Sequence, residues 1–286
     1  MKLKKLVAIT LSAVMCMAAL TGCGGKSDSA KKTAKVIEVD LTDEQYAFGV
    51  DKDQPDLLKE VNQFVADMKS DGTFDEICNR YFGDGTPVPV KSAAYDESKD
   101  QLVVATNAAF EPFEYMDGEN YVGIDMEIAK ALADKLGKEL VIQNMDFDAV
   151  CLSVGQHKCD IAMAGLTIKP DREEYVAFSD PYYSASQKLI TLSTDTEFDA
   201  CKTADDVNKI LEAKGSDLKI GFQNGTTGQF YCEGDDDWGF TGLKMESKGY
   251  KNGSLAVQDL LNGNINYVII DSAPAESITS SINKMQ

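Results

Sequence analysis

Three short stretches and one isolated residue hold most of the side chains suited to gripping a small charged molecule. The first runs Ala105-Thr106-Asn107-Ala108-Ala109-Phe110-Glu111-Pro112-Phe113. The second is Met163-Ala164-Gly165-Leu166-Thr167-Ile168-Lys169-Pro170-Asp171-Arg172, and the third is Gly221-Phe222-Gln223-Asn224-Gly225-Thr226-Thr227-Gly228-Gln229. The isolated residue is Asp271. A guanidinium such as that of Arg172 presents a donor fork that matches a carboxylate. Taken singly, each of these residues has an ordinary structural reading. Arg172 would be a surface salt-bridge residue, Phe110 and Phe147 would be core, and Asp271 would be a helix N-cap.

Composition narrows the chemistry. The single histidine, His157, lies in the polar turn Gly155-Gln156-His157-Lys158 and reads as a solvated loop residue. A Ser-His-Asp triad would need it at the site, and a multi-histidine metal centre is impossible. The formal net charge of −19 repels phosphate backbones and argues against nucleic acid as a partner. The acidic run Asp235-Asp236-Asp237 lacks the spacing of a calcium loop and reads as solvated. No cofactor or metal is implied.

The elements that must position these groups follow from periodicity. Leu57, Val61, Phe64 and Met68 are spaced for one buried helix face, as are Ile124, Ile128, Leu132 and Leu136, a stripe that Gly137 ends. Apolar runs at 102–106, 140–143, 160–164, 219–222 and 267–270 read as strands, as do 36–39 and 46–50. Helical stretches at 147–154, 207–213, 255–261 and 275–282 alternate with them, so the pattern is α/β with parallel sheets. Such sheets bind ligands in the loops after their strands. Residues 83–100 are rich in Pro, Gly, Ser and charge and read as a linker.

The N-terminus reads as an export signal. Lys2, Lys4 and Lys5 precede the uncharged run Leu6 to Leu20, which is too short to span a membrane. Leu20-Thr21-Gly22-Cys23 resembles a bacterial lipoprotein signal, which implies cleavage after residue 22 and a diacylglycerol on Cys23. Two or more acyl chains would anchor the protein stably outside the cytoplasm. Residues 23–34 read as a flexible tether. Of the five remaining cysteines, most read as buried small hydrophobes, with a Cys201–Cys232 disulfide as the alternative.

Beyond residue 35 the chain resembles the amino-acid-binding members of the ABC-transporter solute-binding proteins, family 3. The three stretches above carry the likeness, with Phe147-Asp148, Phe178-Ser179-Asp180-Pro181-Tyr182 and Leu261-Asn262-Gly263. The resemblance implies a two-lobed periplasmic-binding-protein type II fold, no catalysis, an amino-acid ligand, an ABC permease as partner and a monomer. It implies that Arg172, Thr167, Thr226 and Thr227 hold the ligand's carboxylate, while Asp271 and the carbonyls near Ala164 and Gly165 hold its ammonium. Phe110 and Phe147 would sandwich its side chain, and Asn107 and Gln223 would face it. Because Asn107 is neutral where binders of cationic amino acids often place an acid, a neutral polar ligand such as glutamine is expected.

The order of the pieces departs from the family. Residues 35–83 resemble its C-terminal segment but stand at the front, so the chain reads as circularly permuted. Residues 35–43 would then be a strand and crossover of lobe 2, 44–188 lobe 1 and 189–286 lobe 2. A linker at 84–101 would join the family's usual termini, with crossovers at Ser186 to Leu192 and around Asp40 to Tyr46. Two rivals stand beside this reading. One is a cyclohexadienyl or prephenate dehydratase on the same fold, with Glu111 or Glu114 as acid or base. The other is a nutrient sensor acting on a receptor.

Overall fold

The computed structural model describes residues 31–286; the expected signal segment, Cys23 and most of the tether lie outside the described residues. The described residues start with three short strands, β1 (Ala34–Val36), β2 (Glu44–Tyr46) and β3 (Gly49–Asp51). Two helices follow, α1 (Pro55–Ser70) and α2 (Thr73–Phe82). After the 83–100 segment come β4 (Gln101–Thr106) and a small meander of β5 (Ala109–Phe110), β6 (Glu114–Asp117) and β7 (Asn120–Val122). Next are α3 (Ile124–Leu136), β8 (Glu139–Asn144), α4 (Val150–Gly155), β9 (Ile161–Ala162) and β10 (Val176–Phe178). β11 (Tyr183–Ala185) and β12 (Gln187–Leu192) lead into α5 (Ala204–Glu212), β13 (Lys219–Gln223) and α6 (Thr227–Glu233). The chain continues through β14 (Glu246–Tyr250), α7 (Gly253–Asn262), β15 (Tyr267–Asp271) and α8 (Ser272–Met285).

These strands build two five-stranded sheets, ordered β10-β3-β9-β4-β8 and β1-β12-β15-β13-β14. In each sheet the strands that alternate with helices are parallel: β8, β4 and β9 in the first, β14, β13 and β15 in the second. The expectation of fully parallel sheets needs correction, because β3 and β12 enter antiparallel from the other side. The outermost strands β10 and β1 pair antiparallel in turn. β4 and β15 are buried along their whole length, as strands covered on both faces must be.

The segments joining the two sheets are β2 and β11, which pair antiparallel with Tyr46 opposite Tyr183 and Glu44 opposite Ala185. The expected crossover at Ser186 to Leu192 is corrected accordingly. From Gln187 onward the chain is already β12, hydrogen-bonded to β15. Read from its apolar run alone, that stretch offered no way to separate a crossing segment from a sheet strand.

Helix ends follow local chemistry. Thr203 caps α5 in a reciprocal box with Asp206, and Asn252 accepts from the Leu255 N–H at the start of α7. Gly137 and Gly263 end α3 and α7 in the left-handed conformation. The apolar stripes of α1 and α3 pack together with Leu102, Val104, Leu140 and Ile142 in one core. The second sheet has its own core around Leu189, Phe198, Phe222 and Ile269.

The 83–100 segment is pinned to the body along much of its length. Val90 bridges Tyr121, the Ala93 N–H donates to the Leu140 carbonyl, and the Ser92 hydroxyl accepts from the Ile142 N–H. All five described cysteines are free thiols, so the Cys201–Cys232 disulfide does not form. Cys232 is fully buried in the second core, which pushes its thiol pKa up and leaves it a small hydrophobe.

Because β3 is bracketed by β9 and β10, residues 34–82 should stay in place without covalent continuity to the rest. A protease site inserted between Gly83 and Thr86 and then cut should leave two fragments that co-elute in size-exclusion chromatography and melt in one transition. Separation of the fragments would show that the strand does not hold.

Candidate functional site

The loop after β9 is built around Gly165. Its φ of 54° is left-handed, and a Cβ there would stand 2.9 Å from Cε1 of Phe110. Its N–H donates to Oδ2 of Asp125 at 2.9 Å, and Asp125 also accepts from the Tyr182 hydroxyl at 2.6 Å. This fixes the path of Ala164 and Leu166, both buried, and delivers Thr167 beside β2. There Thr167 makes a backbone bridge to Tyr46, and its hydroxyl donates to Oε2 of Glu44 at 2.8 Å.

Five residues on, a single helical turn places Arg172, which is buried. Its guanidinium donates to the Thr167 carbonyl at 2.6 Å and, across to the second sheet, to the Gly225 carbonyl at 2.9 Å. The ring of Phe147 lies 5.3 Å from its Cζ. From the second sheet, the turn after β13 brings Thr227, whose hydroxyl reaches that of Thr167 at 3.5 Å. Thr226 stands at the N-cap position of α6 without a capping bond and donates its hydroxyl to the Gln223 carbonyl.

Gln223 ends β13 and is completely buried. Its Nε2 donates to Oδ1 of Asn107 at 3.1 Å, while its own Oε1 has no partner. Asn107 in turn donates to the Met145 carbonyl. The two polar residues thus meet each other across the two sheets.

Asp271 ends β15 and stands at the N-cap position of α8, but its side chain makes no capping bond. It accepts instead from the Tyr46 hydroxyl at 2.6 Å. Burial, with the nearby Glu44 charge, pushes its pKa up to about 7. Asp125 is also pushed to about 7, by burial. Glu114 is buried with both oxygens unpartnered, and burial followed by the charges of Asp125 and Asp271 raises it well above the carboxylate range. No Lys or Arg is bonded to any of these four carboxyls among the described residues.

The sequence-predicted residues therefore converge, with one change of partner. Phe110 stacks on Phe113 at 6.1 Å and Phe147 lies against Arg172, so the two rings have different neighbours. A cavity of about 290 Å³ opens beside Arg172, lined by Phe147, Leu166, Tyr175, Gly225 and Phe230, and does not reach Asp271. Sequence reasoning passed over Glu44, Tyr46, Asp125 and Gln187. The strand alternation that turns Glu44 and Tyr46 to the same face was the available signal.

His157 is exposed in a turn, as expected, and the acidic run is exposed at Asp236 and Asp237, but both also make ion pairs that the sequence did not signal. His157 has a left-handed φ of 58°, with Nδ1 2.8 Å from Asp51 and Nε2 3.5 Å from Asp53. Its hydrogen bond to Asp51 raises its pKa. The carboxylates sit on opposite nitrogens, which makes a charge clamp out of the Asp51, Asp53 and His157 group. Asp235 and Asp237 are tied to Lys169.

Two mixed sheets joined by paired segments, with buried polar loops from both meeting between them, are the two-lobed type II arrangement of binding proteins. The chain belongs to the bacterial extracellular solute-binding proteins, family 3, whose profile matches residues 9–84 and 102–271. It is 29% identical over 202 residues to the arginine-binding extracellular protein ArtP of Bacillus subtilis, covering 65% of this chain and 75% of that one. Among solved structures it is similar to an ancestral arginine-binding protein bound to glutamine, at 30% identity and a TM-score of 0.52, covering 64% of this chain and 74% of the other. It is also similar to an ancestral amino acid-binding protein described as a precursor of cyclohexadienyl dehydratase, at 27% identity and TM-score 0.52, covering 74% and 78%.

The raised Asp271 fixes a pH dependence. A carboxyl with a folded pKa above its unfolded value stabilises the fold at low pH, and that stability is lost as pH climbs from about 4 toward 7. Asp271→Asn should therefore raise the melting temperature of the ligand-free protein at pH 8, by the equivalent of roughly 1–3 kcal/mol, and do little at pH 4. Thermal melts across that range would check it; equal effects at both pH values would contradict the assignment.

Proposed function

We propose that this protein is the amino-acid-binding component of an ABC importer, held outside the cytoplasm by a lipid on Cys23. The observation that carries the reading is a pair of opposed buried charges, Arg172 and Asp271, linked through Thr167 and Tyr46. Arg172 lies with Thr167 and Thr227 at one end, and Asp271 with Tyr46 and Glu44 at the other. A zwitterion fits that polarity. Its carboxylate takes the guanidinium and the Thr167, Thr226 and Thr227 hydroxyls, and its ammonium takes Asp271 and the carbonyls near Ala164 and Gly165. Phe110 and Phe147 flank the apolar part of the ligand. Each charge-assisted bond contributes about 1.5–3 kcal/mol, so a handful leaves a micromolar site after the costs of association.

The side-chain end of the site is Asn107 with Gln223, neutral and amide-lined. That supports a neutral polar amino acid such as glutamine. A cationic amino acid is the second reading. It is favoured by the uncompensated carboxyls Glu44 and Glu114 and by relatives named for arginine. Glu114 is the buried acid a dehydratase would use, but the family to which the chain belongs is one of binding proteins.

The permuted order belongs to the same proposal. β1 and β3, from the front of the chain, sit in different sheets beside strands from its middle. This supports the expected division into lobes, with linker 84–101 inside lobe 1 and the lobe boundary moved from residue 189 to Gln187, where β12 begins. Sequence-ordered alignments that cover only about two thirds of the chain support it too.

The test is calorimetric titration of the full chain with the twenty amino acids and cystine. One or two should bind, and Arg172→Ala should weaken the best of them by at least about 100-fold, the loss of a buried bidentate contact. Binding of glutamine selects the first ligand reading and binding of arginine the second. A well-folded protein that binds none of them overturns the proposal.

A further inference from the structure

Lys169 lies three residues before Arg172 and is almost fully buried, at 3% exposure. A lysine is seldom buried unless its ammonium is paired. Here Nζ stands 2.9 Å from Asp171, 3.1 Å from Asp235 and 3.8 Å from Asp237. It also lies 4.5 Å from the centre of the Phe230 ring. Asp171 belongs to the same loop as Lys169, whereas Phe230 is in α6 and Asp235 and Asp237 follow it. One ammonium from the first sheet is thus received by three groups from the second. Burial alone would lower its pKa, but the hydrogen bonds to Asp171 and Asp235 outweigh that and raise it.

We propose that Lys169, clasped by Asp235 and Asp237 over Phe230, is a positioning residue that holds the α6 loop closed over Arg172 and so sets how long a ligand stays bound. The inference rests on the amino-acid reading of the cleft. It assigns Lys169 no contact with the ligand. Arg172 and the Gly225 carbonyl meet across the same seam. Whatever keeps α6 against the loop after β9 therefore keeps that end of the site assembled. A buried pair is screened little by salt, and removing one partner leaves the other charge uncompensated. Contacts made only in the closed form act on dissociation more than on association. The other seam-crossing ion pair near this site, Lys251 with Asp146, is exposed on both sides and contributes little.

The protein carries its own reporter. Trp238 is the chain's one tryptophan; its backbone N–H donates to Oδ1 of Asp235 and its ring stacks on Phe240. Stopped-flow Trp238 fluorescence of the full chain, with L-glutamine and L-arginine as probes, gives both rate constants. Lys169→Met should raise the dissociation rate about tenfold or more while changing the association rate by less than about threefold. Asp235→Asn should do the same, and the double variant should be no worse than either single one. An unchanged dissociation rate, or fully additive singles, would overturn the clasp. If neither probe binds the wild type, the ligand reading fails by itself. The clasp is then judged by acrylamide quenching of Trp238, which Lys169→Met increases if the loop is held and leaves unchanged if it is not.

Discussion

A carboxylate buried without a cation beside it is the constraint around which this molecule is arranged. Asp271 is 4% exposed, its carboxyl accepts from a tyrosine hydroxyl, and a second buried carboxylate, Glu44, stands near. Such a group destabilises the fold that contains it. The fold tolerates it because β15 is fixed between β12 and β13, and because Tyr46 arrives on a strand that belongs to neither sheet. In the proposed reading, a ligand's ammonium would remove that unfavourable term. On that proposal, affinity at that end of the site would be prepared in advance, in the way buried polar groups of binding sites commonly are.

The opposite end follows another logic. Arg172 already spends donors on two backbone carbonyls, one from each sheet. A guanidinium has five N–H donors in a fixed fork, so these two bonds orient it and leave others for the carboxylate of the proposed ligand. The rigid end and the poised end are connected through Thr167, which touches Arg172 by its carbonyl, Tyr46 by its backbone and Glu44 by its hydroxyl.

Much of this was legible from the residues. The stripes of α1 and α3 fell where periodicity put them, and the loops holding Thr167, Arg172 and Thr227 followed strands as the α/β pattern requires. Strand direction was not legible, because a period of two carries no sense of polarity; β3 and β12 are antiparallel for reasons of connectivity alone. Glu44 and Lys169 were not legible either. A single charge in a three-residue strand, and a lysine between Ile168 and Pro170, look like solvent-facing residues until partners distant in sequence bury them. The 83–100 stretch has the composition of a loose linker, yet backbone bonds to Leu140 and Tyr121 give it an ordered course. Composition does not report such bonds.

The placement of β1, β2 and β3 bears on how the chain reaches this state. Ala34 pairs with Leu192, Glu44 with Ala185 and Gly49 with Phe178. The strands that leave the ribosome first thus have partners made more than a hundred residues later. Local pairing cannot retain them, and the entropy of closing such long loops must be met before any contact repays it. In a chain wired this way the first strands have nothing to pair with until residues near 192 have been made.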